Sequence, residues 1–206
     1  MVVLLVSVSL SVYAQQGKWQ QLNQVVTTLY SKGEYSKALS VAQTSLSVAQ
    51  ETLGKKHPAV ATSHNNIGLL HKSLGQYAES EASYKRALKL RERLYDENAD
   101  VANSLASLAS LYRTMGDYKK AEKFGKSSLK MREKLFGPEH PSVAIALDSL
   151  AALYNEQSRF EKAEPLYLRA LLIYQKAYGP EHAEVASSMN NLAVAYEAQG
   201  MHDQAE

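Results

Sequence analysis

Apolar side chains recur along most of this chain at i, i+3, i+4 and i+7, the spacing that lines one face of an α-helix. Four such stripes resemble one another: Ile67, Leu70 and Leu74; Leu105, Leu108, Ala109 and Tyr112; Val143, Leu147, Leu150, Ala151 and Tyr154; Met189, Leu192, Ala193 and Tyr196. A break and a second stripe follow, as in Ala82, Tyr84, Ala87, Leu88 and Leu94 or in Leu166, Tyr167, Ala170, Leu171 and Tyr174. Each unit therefore reads as a helical hairpin, helix A and helix B around a tight turn. The pattern predicts pairs at 20–31 and 35–52, 58–73 and 77–95, 100–114 and 118–136, and 142–156 and 160–178, then a helix at 184–199. No β-sheet is expected in residues 20–200.

The turns carry a motif, Gly-x-(Tyr/Phe)-x-x-Ala-Glu, that recurs five times. Its copies begin at Gly33, Gly75, Gly116, Ser158 and Gly200, which places them 42, 41, 42 and 42 residues apart. Between hairpins stand Leu53-Gly54-Lys55-Lys56-His57-Pro58, Leu135-Phe136-Gly137-Pro138-Glu139-His140-Pro141 and Tyr178-Gly179-Pro180-Glu181-His182. A glycine past the end of helix B closes its last carbonyls, and a proline opening the next helix loses no bond, because its missing N–H would have had no partner there. Tyr95-Asp96-Glu97-Asn98-Ala99 is the same joint shortened by one residue, which accounts for the spacing of 41.

The 42-residue period, the Asn-Asn-Leu-Ala-x-x-Tyr run of Asn190 to Tyr196 and the Gly-Pro-Glu-His-Pro joint resemble tetratricopeptide repeats (TPR) of the kinesin light chain type, over residues 18 to 206. The resemblance implies an all-α fold, a right-handed α-α superhelix (TPR solenoid) of helix-turn-helix repeats. Ser158 at the turn, Ser80 at the Ala position, His202 at the turn aromatic and His71 at the helix A Tyr depart from the pattern, and looser units are expected there. The opening with Trp19, Leu22, Leu29 and Tyr30 also resembles bacterial exported TPR proteins, some of which continue into a CHAT-type peptidase domain.

Residues 1–14 differ in kind from the rest: Met1 to Val12 is apolar with a few serines, and the first charge is Lys18. About eleven apolar residues fall short of the roughly 20 that span a bilayer, so no stable membrane span is expected. They suit a secretory signal, and Val12-Tyr13-Ala14 resembles a cleavage site, although the usual positive start is missing. The expectation is a signal peptide over 1–14 and a TPR array over 15–206, with export to a periplasmic or extracellular location; the alternatives are a misassigned start within a longer signal and an apolar helix that docks on the first repeat, and without export the location is cytoplasmic. The array ends about one turn into a fifth helix B, which suggests an incomplete repeat and self-association through its uncapped face.

Charge and composition remove several chemistries. The net charge of +2 is the balance of 23 basic and 21 acidic residues with no basic block, so nucleic acid is not an expected partner. The absence of cysteine excludes disulfides and thiolate zinc sites. His57, His140 and His182 recur as parts of the joint, and His64 and His71 lack a third ligand at zinc-like spacing. With no nucleophile elbow, phosphate loop or dinucleotide fingerprint, no cofactor, metal site or catalytic residue is expected.

A TPR-type array lines its concave face with helix A, and the positions outside the apolar stripe are free to face a ligand. They include Asn23, Gln24 and Thr27; Asn65, Asn66, Leu69 and Lys72; Asn103, Ser107, Ser110 and Arg113; Asp148, Ser149 and Asn155; and Ser187, Asn190, Asn191, Val194 and Glu197. A carboxamide both donates and accepts, so it can pair with the N–H and C=O of an extended peptide. Lys72 and Arg113 occupy equivalent places in neighbouring repeats, suited to a peptide carboxylate. The expected role is a scaffold that binds a protein or peptide ligand; the alternatives are the regulatory portion of a larger enzyme and a structural self-associating array.

Overall fold

The computed structural model describes residues 2–201, with side chains from Gly17 onward. Among the described residues nine helices and no strand occur. The chain divides into two compact units, residues 1–96 and 97–206.

The first unit holds α1 (Val2–Ser31), α2 (Tyr35–Thr52), α3 (Pro58–Ser73) and α4 (Tyr77–Leu94). The expected helix at 20–31 is thus the second half of a longer one, and Ala14, the expected cleavage residue, lies within α1. Val26, Ala38, Ala42, Ile67 and Leu70 form one core cluster, and Ala49, Ala59 and Val60 form a second, against which Trp19 packs. The Trp19 indole N–H donates to Ser63 Oγ at 2.9 Å, so that its one polar atom is satisfied. Ala82, read as part of the apolar stripe, is exposed, whereas Tyr84 is 2% exposed.

The second unit holds α5 (Ala99–Thr114), α6 (Tyr118–Phe136), α7 (Pro141–Asn155), α8 (Phe160–Tyr178) and α9 (Ala183–Glu197). Val143, Leu147, Ala170, Ile173, Tyr174 and Val185 pack α7, α8 and α9 together near the joint, and Ala151, Tyr154, Ala163, Tyr167, Leu192 and Ala195 do so near the turn. The recurring Tyr and Glu meet between hairpins. Tyr154 O–H donates to Glu122 Oε1 at 2.9 Å, and Tyr196 O–H donates to Glu164 Oε1 at 3.1 Å. Met189, assigned to the α9 stripe, is half exposed.

The joint histidines have a structural task. His57, His140 and His182 each cap the following helix A, Nδ1 accepting the backbone N–H two residues on at 3.1, 3.1 and 3.2 Å. Asn98 does the same in the shortened joint at 2.7 Å. The rings of His140 and His182 stack on Phe136 and Tyr178, which tie each cap to the end of the preceding helix B. The glycine of the joint bends the chain through positive φ, 86° at Gly137.

The expectation of looser units at the departures is not supported where side chains are described. Ser158 takes the left-handed backbone itself, φ 56° against 76° at Gly116, at a cost of about 1 kcal/mol for a residue with a Cβ. Ser80 is fully buried and donates from Oγ to the Gly68 carbonyl at 2.7 Å. His71 Nδ1 lies 2.6 Å from Gln76 Oε1. His202 lies outside the described residues, as does the rest of the fifth motif copy beyond Met201.

Candidate functional site

In the first unit the amides of α1 and α3 lie on one face. Asn66 Nδ2 donates to Asn23 Oδ1 at 3.1 Å across the two helices, and Ser45 Oγ of α2 approaches the same oxygen at 3.5 Å. Asn23 is therefore engaged within the fold, and its Nδ2 is buried with no hydrogen-bond partner. Gln24 and Thr27 are exposed, with Thr27 Oγ1 donating back to the Asn23 carbonyl at 3.1 Å. Asn65 and Lys72 are half-buried. Beside them, burial and then the Arg86 charge push the His64 imidazole below its usual range, which favours the neutral ring.

In the second unit the helix A positions divide by environment. Asn103 is exposed and accepts at Oδ1 from Arg132 Nη2 at 2.7 Å. Ser107 Oγ donates to the Asn103 carbonyl at 3.0 Å. Arg113 Nε lies 3.8 Å from Glu156 Oε1, so an incoming carboxylate would compete with one already there. Asn190 is exposed and Asn191 half-buried. Asp148 and Asn155 turn partly inward, and one side-chain oxygen of each is buried without a partner. Burial lifts the Asp148 carboxyl to about 6; a hydrogen bond with Tyr174 opposes the rise and the Glu184 charge adds to it. Burial, then the Asp148 charge, pushes Tyr167 up to about 12.

A feature the sequence reading missed lies among α5, α6 and α7. There a small cavity of about 100 Å³ is bordered by Ala109, Ser110, Arg113, Gly125, Arg132, Ser149 and Leu150 among others. Three of these, Ser110, Arg113 and Ser149, are helix A positions expected to face a ligand. The available signal was a glycine in the middle of helix B, at the repeat position where Tyr84 and Tyr167 stand in the hairpins on either side.

Among the described residues, no group of three or more His, Cys, Asp or Glu side chains could hold a metal ion, and no helix is long and apolar enough to cross a membrane.

No match is found among curated proteins. Among solved structures the chain is similar to BtubC (BKLC) from P. vanneervenii, with a TM-score of 0.80 and 24% identity, over 97% of this chain and 84% of that one. A Podosopora anserina putative kinesin light chain with nearly identical TPR-like repeats gives 0.76 at 21% identity, over 91% and 90%. The apo form of RapI gives 0.70 at 19%, over 87% of this chain and 48% of that chain. At these identities the likeness is one of fold. The tetratricopeptide repeat model matches residues 22–93, 65–134, 100–171 and 142–206, overlapping windows that together cover most of the chain. Repeats of this kind are generally protein-interaction scaffolds, and the chain belongs to the tetratricopeptide repeat family.

Proposed function

We propose that the polar face of the helices A holds an extended segment of a partner protein, chiefly through side-chain amides. The carrying observation is the bond from Asn66 to Asn23, which joins residues 43 apart in sequence and aligns the amides of neighbouring helices on one face. In the second unit the exposed Asn103 and Asn190, with half-buried Asn191, offer the same groups. An extended backbone repeats one donor and one acceptor per residue, and amides match both without selecting its side chains.

The test is capture of partners by the full chain and by two variants of it. Asn103→Ala with Asn190→Ala and Asn191→Ala should weaken binding by about 1 kcal/mol per lost hydrogen bond with unchanged circular dichroism. Lys89→Ala with Arg93→Ala, exposed positions on helix B, should change it far less. Equal losses from both variants would remove the helix A face as the binding surface.

A further inference from the structure

An open groove of about 320 Å³, lined by α2, α3 and α4, stands at the low end of the roughly 300–1,000 Å³ range of ligand sites. Leu46, Ile67 and Ala82 give it an apolar stretch. Glu79 and Arg86 also line it, both exposed and seven residues apart on α4, which is two helical turns and about 10 Å along the axis.

These two charges are not neutralised in place as others on the helices B are. Glu81 holds Lys85, Glu122 holds Lys126, and Arg169, at the repeat position of Arg86, lies 2.7 Å from Glu133. Where Glu133 stands, the first hairpin carries Gln50, so Arg86 lacks that carboxylate. Glu79 reverses the sign at its position: its equivalents Lys120 and Lys162 sit over the rings of Tyr112 and Tyr154 at 4.9 and 5.9 Å, and the ring of this hairpin is that of His71. Among the described residues neither Glu79 nor Arg86 has an ion-pair partner. Near Arg86 the His64 imidazole, kept neutral by burial and then by that charge, has one ring N–H to donate. One end of the groove therefore suits a carboxylate and the other an ammonium.

We propose that this groove binds a linear zwitterion, with its carboxylate on Arg86 and His64, its ammonium on Glu79 and an apolar stretch of about 10 Å between them. Two sources have that chemistry: a free tripeptide, about 10 Å long when extended, and a long ω-amino acid. The groove shares no residue with the helix A amides, and the proposal does not depend on them.

The test is NMR shift titration of the full chain with 8-aminooctanoate and with Ala-Leu-Ala carrying free termini. Octanoate and octylamine, which each lack one charge, and the shorter 4-aminobutanoate are the controls. Expected are shifts centred on Leu46, Ile67 and Ala82, with an affinity about fivefold or more above each control. Tighter binding of Ala-Leu-Ala would identify a peptide as the ligand, tighter binding of 8-aminooctanoate an ω-amino acid, and equal binding would mean that charge spacing alone is read. Glu79→Gln and Arg86→Gln lie at exposed positions and should leave circular dichroism unchanged. Each should weaken binding about fivefold, and the two together more than tenfold. Absence of shifts at about 10 mM of either zwitterion overturns the proposal. So does an affinity unchanged in the double variant, or octanoate or octylamine binding as tightly as the zwitterions, which would make the groove a plain apolar surface.

Discussion

Asp148 shows how a residue read as ligand-facing acquires a different character from its surroundings. On α7 it is covered by α8, hydrogen-bonded with Tyr174 and repelled by Glu184, and its carboxyl rises to about 6. A carboxyl raised in the folded state contributes stability that is complete below its unfolded value near 3.9 and lost as pH climbs through about 6. The stability of the wild type relative to Asp148→Asn should therefore fall by about 1–2 kcal/mol between pH 4 and pH 7, a range reduced because the half-buried side chain keeps some solvent screening. Urea titrations of both proteins at several pH values measure the difference; a wild-type advantage that grows with pH would refute the assignment. Asn23 has a parallel history, since its carbonyl oxygen is already shared by Asn66 and Ser45. Both were visible in the sequence as polar positions on helix A, but whether such a group meets water or another side chain depends on residues 20 to 45 positions away.

At the scale of the element, hairpin boundaries were legible because they are set by local chemistry. The helices expected at 35–52, 58–73, 118–136 and 160–178 occur as α2, α3, α6 and α8, and the others in the second unit differ by one or two residues. The joint histidines were read as architecture without a mechanism, and the structure supplies it: a ring nitrogen that accepts the second backbone N–H of helix A. Asn98 performs the same task, so the cap and not the imidazole is what the position requires. His140→Asn should be nearly neutral, whereas His140→Ala should cost about 1 kcal/mol by thermal or urea unfolding. A loss of equal size in both would mean that the stack on Phe136, 4.8 Å away, carries the stability instead.

At the scale of the whole chain, stacking demands that a helix A bury one face on the preceding helix B, and α1 departs from this at the polar level. Ser63, Ile67 and Leu70 of α3 are buried, whereas the equivalent Gln21 and Thr28 of α1 are exposed and Val25 is 45% exposed. Polar side chains on such a face disfavour its pairing with another copy. Gln21→Leu with Thr28→Leu should recreate an adhesive surface and give dimers with a Kd of about 100 μM or tighter by light scattering; a strictly monomeric double variant would show that this face takes no part in association. The sequence by itself determined the helices, their pairing and the period, because propensity, caps and turn glycines act over a few residues and were repeated often enough to be unmistakable. Tertiary structure alone decided which helix A side chains remain available to a ligand and which neighbour packs against the glycine at 125. A residue without a side chain is filled in by whatever its neighbours can reach, and at Gly125 that neighbour is Leu150 of α7, whose Cδ2 lies 2.8 Å from where a Cβ would stand.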